Sequence, residues 1–244
     1  MSDYQYGQFI DQTDQEIYDP KKAEDSVRKS ILQSFTWMGI GLLLSGLTAA
    51  VVCLTSLKNL IYGTPFIPII LLFVQLGLTI AFTASINSAD STKLKVMFLA
   101  YCFTMGLTLS SIGLTYDLGT IFAALLVSAL YFGCLVFIGY TTKKDLSGFG
   151  MPILAALIAL LIGSLVCMFL GYGDILPIML LGLLLFTGIT IYDVQKLKVA
   201  LVSTQGMPVQ QEKLSIYFAL ELYLDFMNIF LYVLRFLGRN SSKN

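Results

Sequence analysis

Histidine is absent from this chain of 244 residues, and charged residues make up only 12% of it. Soluble domains carry about 25% charged residues, so this chain has too few to cover the surface of a soluble globule. The lack of histidine removes the most common metal ligand and the most common general base. These shortages argue against a soluble enzyme, a nucleic-acid binder and a disordered regulator, and they indicate an integral membrane protein.

Cysteine and net charge are the next shortages. The chain has 4 cysteines and a formal net charge of +0. The cysteines lie in four different apolar segments without metal-ligand spacing, which argues against a disulfide framework and against a zinc or copper site. Zero net charge implies no polyelectrolyte partner such as a nucleic acid. The cysteines are Cys53, Cys102, Cys134 and Cys167.

Long apolar runs are what the chain has instead. Hydrophobic residues make up 57% of it, and the mean hydropathy is +0.80. A helix needs about 20 apolar residues to cross a bilayer, and seven runs have about that length. We therefore predict an all-α integral membrane protein built as a bundle of seven transmembrane helices. The runs are Ile31–Leu54, Phe66–Ile86, Leu94–Tyr116, Leu118–Tyr140, Met151–Leu170, Ile175–Tyr192 and Leu214–Leu237.

The charged residues suggest a domain organisation and an orientation. Residues 1–29 are polar, and we predict a flexible cytoplasmic N-terminal tail, followed by a transmembrane domain over 30–240 and a polar C-terminal tail over 241–244. Lysines before the first run and after the second, fourth and sixth runs fall on one side of the membrane. The positive-inside rule then places the N-terminus in the cytoplasm, and for a bacterial protein the membrane is the cytoplasmic one. The side of the C-terminus stays open, because the seventh run either crosses or re-enters.

The seventh run carries a stripe of polar side chains at spacings of 4, 4, 3, 4 and 3 residues. Such spacings place side chains on one face of a helix. In a bilayer that face must meet protein or water, so we expect the seventh helix to be central in the bundle. The stripe consists of Tyr217, Glu221, Asp225, Asn228, Tyr232 and Arg235.

Three acids fall near one another in the last quarter of the chain. Asp193 closes the sixth run, and Glu221 and Asp225 lie one turn apart in the seventh. Such a cluster either shares a proton or binds a cation, and calcium suits it because calcium accepts many oxygen ligands in loose geometry. We predict a calcium or proton site formed by Asp193 and Asp225 above all, with Glu221 and Asn228 as further ligands. Whether Asp193 meets Asp225 or Glu221 stays open.

Three segments carry a family resemblance. Residues Leu220–Leu231, continued by Leu234–Gly238, look like the last-helix signature of the Bax inhibitor-1, or transmembrane Bax inhibitor motif, family in its bacterial branch. Tyr192–Gln195 resembles the sixth-helix motif, and Lys143–Ser147 resembles the loop between helices four and five. Glu221 departs from the pattern, which usually has an uncharged residue at that position.

The resemblance implies a bundle with a central seventh helix and a pH-sensitive calcium leak in which Asp193 and Asp225 act together. It implies no enzymatic activity and no cofactor, with calcium as permeant or bound ligand. The expected partners are the lipid bilayer, calcium and protons.

Two other functions are compatible with parts of this sequence. One is a non-catalytic regulator that binds other membrane proteins, such as a membrane protease or a cell-death factor. The other is an intramembrane aspartyl protease, whose two carboxyl groups share a proton. Those proteases carry Gly-x-Gly-Asp and Pro-Ala-Leu runs, whereas here Asp225 follows Tyr223-Leu224 and no proline comes after Pro208. The protease is therefore the weakest alternative.

Overall fold

A computed structural model describes residues 20–64, 66–170 and 176–241. Seven of the helices in these residues are long and apolar enough to cross a membrane, and they match the seven predicted runs. The all-α prediction is confirmed. The helices are α1 Pro20–Leu54, the short α2 Leu57–Tyr62, α3 Ile67–Ser85, α4 Ser91–Thr115, α5 Leu118–Thr141, α6 Gly150–Phe169, α7 Leu176–Ser203 and α8 Pro208–Ser241, with a 3₁₀ turn at Ser147–Phe149 before α6.

Helices α1, α7 and α8 extend well beyond the apolar runs that predicted them. Helix α1 begins at Pro20 and already buries Val27, so the first turns of this helix come from the predicted polar tail. The remainder of that tail, residues 1–19, and residues 242–244 of the C-terminal tail lie outside the described residues. Helix α7 continues for eleven residues past the predicted end at Tyr192. Hydropathy marks only the part of a helix that fits in hydrocarbon, so the polar helix ends went unrecognised.

Local sequence explains where the helices start. Asp90 and Asp117 are the N-caps of α4 and α5, and the carboxylate of Asp117 accepts the backbone N–H of Thr120 at 2.9 Å. The turn between α7 and α8 needs a left-handed residue, which Gly206 supplies with a φ of 80°. Pro208 then begins α8, at a position where its missing N–H has no cost.

Helix α8 occupies the centre of the bundle. It packs against α1, α4, α5 and α7, while α3 packs mainly on α4, and α6 mainly on α7. In the most apolar stretch of α8, 67% of the residues are buried, against 0% in the stretch that includes most of α6. The prediction of a central seventh span is confirmed.

Tyr223 fixes the rotation of α8 within the bundle. It is fully buried, and its ring meets the rings of Phe98 and Tyr101 of α4 edge-on, at centroid distances of 6.1 and 6.0 Å. Its hydroxyl lies 2.6 Å from the hydroxyl of Ser45 of α1. Two residues along a helix correspond to a rotation of about 200°, so Asp225 is directed away from α1 and α4.

Candidate functional site

Asp193 is held in the bundle by close packing between α5 and α7. A Cβ atom on Gly139 of α5 would lie 2.8 Å from the carbonyl oxygen of Ile191 and 2.9 Å from the Cβ of Val194. Only glycine at position 139 allows α7 to approach α5 this closely. The two contacted residues, Ile191 and Val194, lie on either side of Asp193 in the sequence. Asp193, between these two contact residues on α7, is 9% exposed.

The structure places Asp193 against Asp225 of α8. The two carboxyl groups lie within hydrogen-bonding reach of each other, and Asp225 is 3% exposed. No amide, hydroxyl or ammonium donor in the described part of the chain reaches Oδ2 of Asp225. A hydrogen bond between two carboxyl groups requires a proton on one of them. The geometry therefore suits a proton held between the two side chains.

Glu221 lies one turn before Asp225 on α8 and has different partners. Its Oε1 accepts from the ammonium group of Lys196 of α7 at 2.8 Å and from the hydroxyl of Tyr217 at 2.6 Å. Its Oε2 is buried and meets no donor among the described residues. Asp193 thus meets Asp225 directly, whereas Glu221 pairs with Lys196 and acts on both aspartates through its charge.

Lys196 is the site residue that sequence reasoning missed. The sequence pattern assigns it to the loop lysines that indicate orientation, because the apolar run of α7 ends at Tyr192. Its ammonium group lies 5.4 Å from the ring centroid of Tyr217 and 5.6 Å from that of Phe218. The signal was available: a helix that continues past Asp193 places a residue three positions later on the same face.

The rest of the predicted stripe is less involved. Asn228 is half-buried, and its amide nitrogen donates to the carbonyl oxygen of Leu224 in its own helix at 2.8 Å. Tyr232 is half-buried beside α7, and Arg235 is exposed. The described residues contain no group of three or more Asp, Glu, His or Cys side chains arranged to hold a metal ion. The four predicted ligands are therefore divided between a carboxyl pair, an ion pair and a helix-internal hydrogen bond.

Gln195 connects the site to the loop between α5 and α6. Its side chain is buried, with Oε1 accepting from the backbone N–H of Leu146 at 2.8 Å and Nε2 donating to the carbonyl oxygen of Lys144. Within this loop, the backbone N–H of Ser147 donates to the carboxylate of Asp145 and lowers the pKa of that carboxyl. The loop that carries one family-like segment is thus fastened to α7 two residues after Asp193.

Comparison with known proteins identifies the family. The family described as "Inhibitor of apoptosis-promoting Bax1" matches residues 27–242. This chain belongs to the Bax inhibitor-1 family. The match includes Asp193, Asp225 and all seven membrane-spanning helices of the described residues, and it confirms the resemblance seen in the sequence.

Bacterial members of the Bax inhibitor-1 family are similar to this chain over most of their length. "Inner membrane protein YbhL" of Escherichia coli (strain K12) is 36% identical over 214 residues, which cover 84% of this chain and 89% of that protein. An uncharacterized protein of Borreliella burgdorferi is 34% identical, covering 86% and 92%. "Uncharacterized protein RP147" of Rickettsia prowazekii is 32% identical, covering 89% and 92%. The chain is an integral multi-pass membrane protein.

Proposed function

We propose that this protein is a pH-sensitive calcium leak of the bacterial cytoplasmic membrane. The observation that carries the proposal is the contact between the carboxyl groups of Asp193 and Asp225 in the middle of the bundle. Buried ionisable groups in a membrane protein are costly, and they mark ion or proton pathways. No amide, hydroxyl or ammonium group among the described residues reaches Oδ2 of Asp225, which leaves this oxygen available to a proton or a cation.

The pair has two states that differ in charge. With a proton between them, Asp193 and Asp225 carry one negative charge and hold each other in place. Without it, two negative charges repel at short range, and a divalent cation relieves the repulsion. Protons and calcium then compete for the same oxygens, so calcium binding weakens as the pH falls. The remaining coordination of calcium comes from carbonyl oxygens and water, which that ion accepts readily.

Orientation completes the proposal. Lysines lie at one end of the bundle: near the starts of α1 and α4, in the loop that follows α5, and in the parts of α7 and α8 next to their shared turn. From the positive-inside rule we infer that this end faces the cytoplasm. In this orientation Lys196 and Glu221 lie between the two aspartates and the cytoplasm.

Calcium binding and flux across a pH series test the proposal. Calcium binding is measured on the purified protein by equilibrium titration, and flux is measured after reconstitution into liposomes that contain a calcium indicator. D193N, D225N and the double variant are compared with the wild type in both measurements. An asparagine keeps the shape of the side chain and donates to the remaining carboxylate, so the pair holds together without a proton. D117N is the matched control, because it removes an exposed acid while asparagine still caps α5.

We expect the wild type to bind calcium about tenfold more weakly for each unit of pH below the point where the pair takes up its proton, as one-proton competition requires. Either single asparagine variant should abolish most of this dependence, and the double variant should add little to either. The D117N profile should match the wild type. Additive effects of the two substitutions, or an unchanged profile in D225N, would contradict a shared-proton site.

A further inference from the structure

The ion pair between Lys196 and Glu221 lies between the surface and the carboxyl pair. The side chain of Lys196 is 38% exposed and that of Glu221 is 20% exposed, whereas the residues Asp193 and Asp225 are 9% and 3% exposed. Exposure thus falls step by step toward Asp225. The ammonium group of Lys196 is the outermost charge in this series.

Both members of the ion pair lie on the same side of the carboxyl pair. Lys196 follows Asp193 by three residues on α7, a rise of about 4.5 Å, and Glu221 precedes Asp225 by four residues on α8, a rise of about 6 Å. Each displacement is toward the α7–α8 turn. The ion pair therefore bridges the two helices one turn outside the carboxyl pair.

The contacts of Lys196 hold its charge in that position. One oxygen of Glu221 accepts its ammonium group at 2.8 Å, and the rings of Tyr217 and Phe218 lie beneath it. The electrostatic influence of the ammonium group also reaches both Asp193 and Asp225. The second oxygen of Glu221 is buried without a donor among the described residues. Oε2 of Glu221 thus remains available to accept a cation, while Oε1 forms the ion pair with Lys196.

We propose that Lys196 is a tethered cation that closes the α7–α8 side of the carboxyl site, and that an incoming cation must displace it from Glu221. The proposal rests on the proposed function, since it concerns access to the same two aspartates. The ammonium group neutralises Glu221 and repels other cations from the approach to Asp193. When it leaves, Glu221 becomes the first carboxylate that a cation meets. Lys196 is a positioning residue for cation access.

A structural cross-link and a tethered cation make opposite predictions for two variants. K196M and E221Q both break the ion pair. If the pair acts only as a structural cross-link, both variants should change calcium flux and labelling in the same direction. A tethered cation is removed only in K196M, which leaves Glu221 as a free carboxylate. In E221Q the lysine charge remains near the two aspartates, and a negative charge is lost from the approach.

Two measurements in the full-length protein separate these cases. The first is calcium flux into liposomes at fixed pH. The second is labelling of Asp193 and Asp225 by a water-soluble, positively charged carbodiimide with glycine ethyl ester, quantified by peptide mass spectrometry. Because the reagent is itself a cation, its reaction measures cation access to the two aspartates in the absence of calcium. K198M is the matched control, because Lys198 lies on the same helix but contacts Tyr140 of α5. K196R keeps the charge.

We expect K196M to raise both flux and labelling about fivefold, the ratio that corresponds to about 1 kcal/mol for a partly exposed ion pair. E221Q should lower both, and K196R and K198M should match the wild type. Equal changes in K196M and E221Q, or wild-type labelling in K196M, would overturn the proposal even if the aspartate variants behave as expected. If labelling rises in K196M while the wild type passes no calcium, the result supports the tethered cation and contradicts the proposed calcium leak.

Discussion

The close approach of α5 and α7 at Gly139 leads to a prediction with a matched control on the same helix. Gly139 is buried, and a Cβ atom there would lie 2.8 Å from a backbone oxygen of α7. Gly133, also on α5, is exposed, and a Cβ atom there would meet nothing within 4 Å. Substituting alanine at either position gives the same gain in helix propensity, about 0.8–1 kcal/mol. The two variants therefore differ only in packing.

The packing cost in G139A follows from the contacted atoms. A backbone carbonyl and the Cβ of Val194 cannot move aside as a long side chain would, so α7 itself must shift. Overpacking of this kind costs about 1–3 kcal/mol. With about 2–4 °C per kcal/mol for a chain of this size, the midpoint of thermal unfolding should be about 2–12 °C lower in G139A than in G133A. G133A should equal or slightly exceed the wild type.

Thermal unfolding in detergent, followed with a dye that fluoresces on reaction with thiols, measures this difference. Cys134 is exposed and reacts in the folded protein, whereas Cys102 is fully buried, so the later rise in fluorescence on heating reports loss of the packed bundle. Equal midpoints for G139A and G133A would refute the reasoning, because they would show that α7 does not depend on the small side chain of α5. They would also remove the packing argument for the position of Asp193.

Two other contacts give smaller and more local effects. Y223F removes the hydrogen bond to Ser45 but keeps the ring packing, so the free energy of unfolding should fall by about 1 kcal/mol, measurable with the same dye. Q195A leaves the backbone groups of Leu146 and Lys144 without their side-chain partner, so amide hydrogen exchange at Leu146 should accelerate at least about tenfold while that of α8 stays unchanged. Unchanged exchange at Leu146 would show that Gln195 does not hold the loop.

The fold was largely predictable because the bilayer restricts what an apolar run can become. A run of about 20 apolar residues has no stable choice in lipid other than a helix, so the seven spans followed from composition. The central position of α8 followed from the stripe around Asp225, since a polar face must avoid lipid. The short helix α2 and the early start of α1 at Pro20 were missed, because both depend on contacts that hydropathy does not describe.

The candidate site was predictable in part. Asp193 and Asp225 stood out because acids are rare in membrane spans, and the structure brings these two together. The sequence does not reveal the role of Glu221, because its partner, Lys196, lies one turn beyond the apolar run of α7. Lys196 was read as a loop residue for the same reason. Which side chains pair between two helices depends on the relative rotation and depth of the helices. The amino-acid sequence of a single chain does not define either quantity.

The central position of α8 has a consequence for how the protein is made. Of the described helices, α8 is the last to leave the ribosome, yet it is the one around which the others are arranged. The contact between α1 and α4 is available early, but the surfaces that receive Tyr223 on α1 and α4 and Asp225 on α7 have no occupant until α8 is synthesised. Insertion of the earlier spans and assembly of the bundle are therefore separate stages. Until the second stage, Asp193 has no partner from α8, and the nascent protein exposes within the membrane the acid that the finished bundle encloses.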